Sequence, residues 1–434
     1  MSREKTSGTR GVAAGMAAHL YAQGVTILTQ LATLPIFLSR WSSEQYGQWI
    51  VLTAVPLYLS LADFGIVTAA GNMMTMHRAR GEMDELNRVF RASILIVAVC
   101  IPVIALLFIV PVLSISWHFS QDQRYAMAAL IMASLLNVAC GLFDSAYRPF
   151  GKYPKVTVLL TSARVMDWAG SITGLIIGGT LTTAALGLLA GRLISCLVIF
   201  VMARRDVPEV EWKLRDPDGR VDRTLIRTLL RSGVGFMSFP IGNLLTLQGM
   251  VVLVGAQLGG TAVAQFNTSR TLARLLAQLA ILTGKSMSPE ISRLYGAGRD
   301  HDAESLIRRL MWTILPLTIV GAVVLSLLAP YIFQLWSHGK IEFERTVFSW
   351  LLVGAVASAY WQIRSTKLTA TNRHSMLAML FLIVSALSLV LAWLLGPRFG
   401  TVAAAACTCL IEVCMVAVTL WAIARIQRLQ GARR

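Results

Sequence analysis

The sequence has few charged residues: aspartate, glutamate, lysine and arginine make up 14% of its 434 residues. A soluble globular domain carries about 25% charged residues, so this chain has too little charge to cover a surface that faces water. Apolar residues make up 56% of the chain, and the mean hydropathy is +0.64. An ordinary soluble protein is therefore excluded. The long apolar segments predict an all-α integral membrane protein.

The sequence also lacks the motifs of several function classes. No nucleotide-binding loop of the form GxxxxGK[ST] is present, and no polar segment is long enough for an ATPase domain. No catalytic set emerges either, so the chain is not predicted to be an enzyme. The six cysteines lie inside apolar segments, where they behave as small apolar residues. No metal site and no cofactor are predicted.

Twelve apolar segments are long enough to cross a bilayer, because about 20 residues suffice for a membrane-spanning helix. The predicted spans are residues 11–38, 46–70, 92–117, 126–147, 156–178, 181–203, 232–257, 260–286, 310–335, 346–369, 376–396 and 400–424.

Basic residues are distributed unevenly between the two sets of connecting segments. Of the 39 lysines and arginines, 30 fall on the side that includes both termini, and only five fall on the opposite side. Since basic residues resist translocation, both termini are predicted to be cytoplasmic. The net charge of +17 therefore records orientation, and no nucleic-acid partner is expected.

The two halves of the chain repeat one pattern. Residues 71–91 and 284–309 each contain a glycine, then Met-Thr or Met-Ser, a basic residue, a glycine turn and a charged stretch predicted to be a short surface helix. Because each half has six spans, we predict two six-helix lobes, 1–203 and 232–434, related by a pseudo-twofold axis along the membrane normal. A cytoplasmic linker, 204–231, joins them. An arrangement of two lobes around a central cleft is typical of transporters.

The segment from 46 to 81 resembles a known family. It contains YGQW at 46–49, ADFG at 62–65 and then a basic, glycine-containing stretch. These features are similar to those of the Wzx-type O-antigen and polysaccharide flippases of the MOP exporter superfamily, which also contains the MurJ lipid II flippases and the MATE drug exporters.

The resemblance implies alternating access by two six-helix lobes in the bacterial inner membrane. It also implies a substrate, a short glycan on undecaprenyl pyrophosphate, which is moved from the cytoplasmic to the periplasmic leaflet. The pathway implied is the assembly of O-antigen, lipopolysaccharide or another polysaccharide. A polysaccharide polymerase and assembly proteins are the implied protein partners.

Charged residues inside the spans are candidates for the substrate site, because an ion at bilayer depth is costly unless it is paired or faces water. Arg270 and Arg274 lie one turn apart on the eighth span. Guanidinium groups bind phosphate oxygens in a bidentate fork, so this pair suits a pyrophosphate; the alternative is permanent pairing with an acid such as Asp63. Arg364 and Lys367 are further candidates, although the preference of basic residues for the cytoplasmic side explains their position equally well.

Four other intramembrane charges have two interpretations each. Arg164 and Asp167 share one face of the fifth span, so they either neutralise each other or face the cavity. Arg192 and Glu412 have no charged residue within one turn on their own helices. Pairing between helices is favoured over substrate contact for both.

Three residues are candidates for coupling transport to a gradient of Na⁺ or H⁺: Asp63, Asp167 and His19. A buried carboxylate is more readily protonated, and histidine titrates near neutral pH. The alternatives are that Asp63 is a structural partner for an arginine and that His19 is a packing residue.

Two other functions remain open. A MATE-like cation or drug antiporter would require net acidic charge in the cleft, which Arg270 and Arg274 argue against. A membrane-embedded glycan polymerase or glycosyltransferase would require acidic catalytic residues or a large outer loop. The longest outer connections, near 118–125 and 336–345, are short.

Overall fold

The computed structural model describes residues 2–61, 65–114, 119–213, 222–234, 237–371 and 375–431, and it confirms the all-α fold class. The α-helices of these residues are α1 Ser2–Arg40, α2 Ser43–Leu57, α3 Ile66–Ala79, α4 Met83–Ser114, α5 Gln121–Tyr147, α6 Tyr153–Gly178, α7 Leu181–Asp206, α8 Arg223–Val234, α9 Ser238–Leu244, α10 Met250–Leu258, α11 Gly260–Gly296, α12 Asp300–Trp336, α13 Arg345–Ala370, α14 Ser375–Phe399 and α15 Thr401–Gly431. A π-helical turn, Leu245–Gly249, connects α9 to α10.

Ten helical segments of the described chain are long and apolar enough to cross a membrane, and they coincide with ten of the twelve predicted spans. The other two predicted spans correspond to α6 and α11, which have 26 and 37 residues. At a rise of about 1.5 Å per residue, both are long enough to cross a bilayer. These two helices carry the intramembrane charges Arg164, Asp167, Arg270 and Arg274.

Two predicted spans are interrupted in the structure. The second predicted span, 46–70, is divided into α2 and α3: α2 ends directly after Pro56, and α3 follows Gly65, whose φ of 71° is left-handed. The seventh, 232–257, contains the π-helical turn 245–249. Proline removes a backbone hydrogen-bond donor, so Pro56 accounts for the first interruption. The second interruption is itself a local change, because a π-helical turn shifts the pattern of backbone hydrogen bonds.

The short surface helices predicted after the glycine turns are not separate elements. Gly81 and Gly298 have φ angles of 77° and 70° and reverse the chain. The charged stretches that follow are the first turns of α4 and α12, which begin with acids such as Asp84 and Asp300. Acids in the first turn stabilise a helix, so each polar stretch continues directly into the apolar span. The prediction of independent surface helices is wrong.

The chain forms two compact units whose boundaries differ from the predicted lobes 1–203 and 232–434. The first unit contains Met1–Arg40 and Leu52–Met237, and the second contains Trp41–Val51 and Ser238–Arg434. The start of α2 thus groups with the second half of the chain. The predicted linker, 204–231, groups with the first half.

The start of α2 belongs to the second unit because Glu44 caps α11. The Glu44 carboxylate accepts hydrogen bonds from the backbone N–H of Gly260 at 3.2 Å and of Thr261 at 2.7 Å. Lys340 Nζ also donates to the Trp41 carbonyl oxygen at 3.1 Å. A carboxylate at a helix N-terminus satisfies unpaired N–H groups and complements the helix dipole.

The described part of the predicted linker packs within the first unit. Val207, Val210 and Leu229 are buried in one apolar cluster with residues of α3 and α4. Asn87 of α4 accepts a hydrogen bond from the backbone N–H of Glu211 at 3.0 Å. Scattered apolar residues in a charged loop therefore anchor it to the membrane helices.

The backbones of α6 and α7 touch each other. A Cβ atom at Gly170 would lie 2.2 Å from the carbonyl oxygen of Gly187, and one at Gly187 would lie 2.1 Å from that of Gly170. Small residues allow membrane helices to approach this closely. The contact aligns the polar faces of the two helices, so that Asp167 on α6 can reach Arg192 on α7.

We expect Gly187→Ala to separate α6 from α7, because the added methyl group meets backbone that cannot rotate away. Overpacking of this kind costs about 1 to 3 kcal/mol, so the melting temperature of the detergent-solubilised protein should fall. Gly24→Ala is the matched control, since a Cβ atom there has nothing within 4 Å, and it should leave stability unchanged or slightly raised. Equal melting temperatures for the two variants would contradict this account.

Candidate functional site

The helices of the second unit enclose a cavity of about 370 Å³. Its walls are formed by α9, the π-helical turn, α11, α13, α14 and α15. Arg270 and Arg274 of α11 both contribute to the lining, together with Glu412 of α15 and the rings of Phe239 and Trp361. The two arginines that the sequence singled out therefore face one enclosed space within the membrane-spanning part of the chain.

Arg270 is held by neutral partners. Its side chain is buried, with 6% of the residue exposed. One terminal nitrogen donates to the Leu247 carbonyl oxygen at 2.5 Å, and the other donates to Asn267 Oδ1 at 2.8 Å. The guanidinium carbon lies 5.3 Å from the centroid of the Phe266 ring. These contacts fix the guanidinium but do not cancel its charge.

The π-helical turn supplies one of these contacts. Leu247 lies inside Leu245–Gly249, the segment in which the backbone departs from α-helical geometry. In such a turn a carbonyl oxygen is redirected from the regular ladder, and π-helical turns are frequent at functional sites. Here the irregular backbone places an acceptor against a buried guanidinium.

Arg274 has an acidic counterpart in the same cavity. It interacts electrostatically with Glu412, although no salt bridge joins the two side chains among the residues described. Glu412 Oε2 accepts a hydrogen bond from Trp361 Nε1 at 2.6 Å, and Ser358 lies beside the same carboxylate. Two arginines and one glutamate give the lining a formal charge of +1.

Glu412 is a site residue that sequence reasoning placed elsewhere. It was expected to pair between helices, and it does contact Trp361 of α13, but it also lines the cavity beside Arg274. The sequence did contain a signal for this role, because Glu412 is the single acid in the sequence of α15. What the sequence could not provide was the juxtaposition of α11 and α15.

Arg364 and Lys367, the other substrate candidates in the second half, are placed away from this cavity lining. Lys367 forms an ion pair with Glu304 of α12, which also accepts a hydrogen bond from the Tyr295 hydroxyl at 3.1 Å. The Arg364 Nε atom is buried and has no hydrogen-bond partner among the described atoms. The Lys367 contact is a structural bridge between α12 and α13.

The first unit contains a polar cluster built on a bidentate ion pair. Arg192 of α7 donates through Nε to Asp167 Oδ1 at 3.0 Å and through a terminal nitrogen to Asp167 Oδ2, and it also contacts Asn137 of α5. The expected inter-helix pairing of Arg192 is thus confirmed. Asp167 does not pair directly with Arg164, because Arg164 is exposed and influences Asp167 only electrostatically.

The remaining ion-coupling candidates are His19 and Asp63. His19 is exposed on α1, and its Nε2 atom lies 3.4 Å from the Tyr153 hydroxyl. Asp63 lies outside the described residues. Within the described part of the chain, no group of three or more histidine, cysteine or acidic side chains is placed to hold a metal ion.

The apolar helices define a class of protein, the multi-pass membrane proteins, and solved structures have the same fold. A MATE family multidrug resistance transporter of the MOP superfamily, in an inward-facing conformation, has 14% sequence identity and a TM-score of 0.74, covering 93% of this chain and 96% of that one. The lipid II flippase MurJ, in an inward closed conformation, has 11% identity and a TM-score of 0.71, covering 94% and 87%.

A MOP superfamily transporter from Pyrococcus furiosus, described as having a binding pocket of reversed polarity that suggests a different function, has 14% identity and a TM-score of 0.65, covering 97% of this chain and 96% of that one. At these identities the likeness shows the fold alone. Comparison with curated proteins gives no match.

Family comparison is more specific than the structural likeness. The polysaccharide biosynthesis protein family matches residues 12–295, which is more than half of the chain, and the MatE family matches residues 243–394. The chain therefore belongs to the polysaccharide biosynthesis protein family, and the resemblance to the MOP superfamily drawn from residues 46–81 is confirmed. The protein is a MOP superfamily transporter or flippase.

We expect Arg192→Leu to destabilise the protein strongly, because it leaves Asp167 as an unpaired buried charge. Breaking a buried pair in this way costs about 3 to 5 kcal/mol. Arg88→Leu is the control: its ion pair with Glu85 spans 2.9 Å but is exposed, so its loss should cost at most about 1 kcal/mol. Thermal unfolding in detergent measures both.

The double variant Asp167→Asn/Arg192→Gln separates a structural role of this pair from ion coupling. It replaces the two charges by neutral amides, so stability should largely return. A stable double variant that no longer transports would assign Asp167 to coupling. An Arg192→Leu variant as stable as Arg88→Leu would contradict the structural account.

Proposed function

We propose that this protein is a flippase for an oligosaccharide linked to undecaprenyl pyrophosphate, such as an O-antigen or exopolysaccharide repeat unit. It moves this substrate from the cytoplasmic to the periplasmic leaflet of the bacterial inner membrane by alternating access, with both termini in the cytoplasm. The observation that carries the proposal is the arginine pair of α11, Arg270 and Arg274, in an enclosed cavity whose lining has a formal charge of +1.

The arginine pair suits a pyrophosphate for a geometric reason. Arg270 and Arg274 are four residues apart on α11, so their guanidinium groups project from one helix face at neighbouring heights. Each guanidinium can bind two phosphate oxygens, and a pyrophosphate offers oxygens on two adjacent phosphorus atoms. In a low-dielectric cavity such charge-assisted hydrogen bonds are stronger than in water.

The rest of the lining supports recognition of a polar group beside the phosphates. Asn243 and Gln362 contribute amide groups, and Phe239, Trp361 and Phe381 contribute aromatic rings. Amides pair with hydroxyl groups, and ring faces pack against the C–H faces of sugars. A volume of about 370 Å³ accommodates a diphosphate and an adjoining sugar, so the remaining glycan would extend outside this cavity.

Two comparisons support the same substrate class. The family that the chain belongs to is described as polysaccharide biosynthesis proteins, and one protein of the same fold is a lipid II flippase. Within this proposal, a polysaccharide polymerase and other assembly proteins are the partners that would receive the flipped unit. Transport is driven by a gradient of Na⁺ or H⁺. Asp63, Asp167 and His19 are the coupling candidates, and of these Asp167 is held by Arg192.

A MATE-like cation or drug antiporter is the second candidate, and Glu412 is the observation that favours it. An acid that faces the cavity could bind a cationic ligand, and the MatE family matches residues 243–394, which include most of the lining helices. Arg270 opposes this function, because its neutral partners leave a positive charge in the same space.

We expect deletion of the gene in its own host to cause a lipid-linked oligosaccharide to accumulate on the cytoplasmic leaflet. Without a flippase the completed unit has no route to the periplasmic leaflet, while its synthesis continues. Extraction of lipid-linked sugars, followed by mass spectrometry, measures the accumulation. A deletion strain with normal lipid-linked sugars and increased sensitivity to cationic drugs would favour the antiporter and contradict the flippase.

Complementation of that strain tests the arginine pair. Arg270→Ala should abolish polysaccharide export, and Arg270→Lys should restore only part of it, because an ammonium keeps the charge but cannot form the bidentate fork. Arg398→Ala is the control, since Arg398 is exposed at the end of α14 and should be dispensable. Protein levels are measured in parallel by immunoblot. Full export with Arg270→Ala would contradict the assignment of the cavity.

A further inference from the structure

The carboxylate of Glu412 raises a question that the flippase proposal leaves open. A cavity built only to attract an anion would not contain an acid, since a like charge repels the ligand. Glu412 nevertheless shares the lining with Arg270 and Arg274. Its position is defined by Trp361 Nε1, which donates to Oε2 at 2.6 Å.

The two arginines differ in what holds them. Arg270 is satisfied by the Leu247 carbonyl and the Asn267 amide, and neither group competes with a ligand as a charge would. Arg274 instead has an acid as its electrostatic partner across the cavity. The cavity therefore combines a fixed cation with a cation that has an internal counterion.

We propose that Glu412 is an internal competitor of the substrate: its carboxylate neutralises Arg274 in the empty cavity and yields Arg274 to the phosphate group when substrate binds. This role rests on the proposed function. It makes Glu412 a residue that limits affinity, so that an anion held by Arg270 and Arg274 can still be released.

The hydrogen bond from Trp361 is what makes such an exchange feasible. A carboxylate free to move would form a direct salt bridge with Arg274 and close the space between them. Because the indole N–H holds Oε2 on the α13 side, the carboxylate influences Arg274 through its charge, and no salt bridge joins the two among the described residues. The same hydrogen bond satisfies the carboxylate once Arg274 has turned to the ligand, so Glu412 is not left unpaired.

The proposal is tested by binding of pyrophosphate to the full-length protein in detergent, measured by isothermal titration calorimetry. The probes are inorganic pyrophosphate and farnesyl pyrophosphate, a short prenyl diphosphate. Glu412→Gln keeps the size of the side chain but removes its charge, and it should tighten binding about tenfold or more, as expected for loss of a like charge a few ångströms away in a protein interior. Glu412→Asp withdraws the carboxylate by one methylene and should tighten binding by a smaller factor.

Glu342→Gln is the matched control, because it makes the same change at an exposed acid that does not line the cavity. It should leave the affinity unchanged. Glu412→Gln should also slow export in the complementation assay while it strengthens binding, since release becomes slower. A purely structural role would weaken both binding and export.

The possible results are distinguishable. Equal or weaker pyrophosphate binding by Glu412→Gln, with wild-type binding intact, overturns the role of Glu412 and leaves the flippase proposal standing. If Glu412→Gln does not fold, as judged by its thermal transition, Glu412→Asp decides: binding no tighter than that of the wild type overturns the proposal. If the wild-type protein and Arg270→Ala bind pyrophosphate equally, the proposed function itself is contradicted.

Discussion

Charge in an apolar medium is the constraint on which the rest of this structure depends. An ion inside a membrane-spanning segment must have a partner or a polar cavity, because burial of an isolated charge is costly. The first unit meets this requirement by pairing: Asp167 and Arg192 form a bidentate, balanced pair. The second unit meets it with a cavity, in which Arg270 and Arg274 face the single carboxylate of Glu412. A balanced pair has no remaining charge to offer a ligand, whereas an unbalanced group does.

The same constraint acts on the ends of the helices. Glu44 caps the N-terminus of α11, and Asp122 caps that of α7 through the N–H groups of Leu181 and Thr182 at 3.0 and 2.9 Å. In both cases a carboxylate from a different helix satisfies the first unpaired donors of a membrane-spanning helix. Glu44 and Asp122 thus act as long-range connectors. This explains why residues 41–51 belong with a unit that is distant in sequence.

The sequence predicted those features that depend on local periodicity. Spans, and the shared face of Arg270 and Arg274, follow from the spacing of residues along one helix. It predicted that Arg192 pairs with another helix but did not identify the partner: Asp167 contacts Arg192 of α7 and not Arg164, its neighbour on α6, because the glycine contact brings α6 and α7 together. The position of Glu412 in the cavity lining was not predicted for the same reason. Which side chains pair between helices depends on how the helices pack, and a single sequence does not specify that packing.

The fold by itself does not decide what the protein transports. MATE transporters and MurJ share this fold with the chain at 11% to 14% identity, so the same helices accommodate different ligands. Under the proposed function, selectivity resides in the few charges that face the cavity. Replacing one neutral residue of the lining by an acid would make the lining neutral, and a second acid would make it attract cations. A small number of substitutions at lining positions such as Asn243 would thus be enough to reverse the polarity of the site without a change in the fold, because the helices that carry these charges are held together by contacts elsewhere.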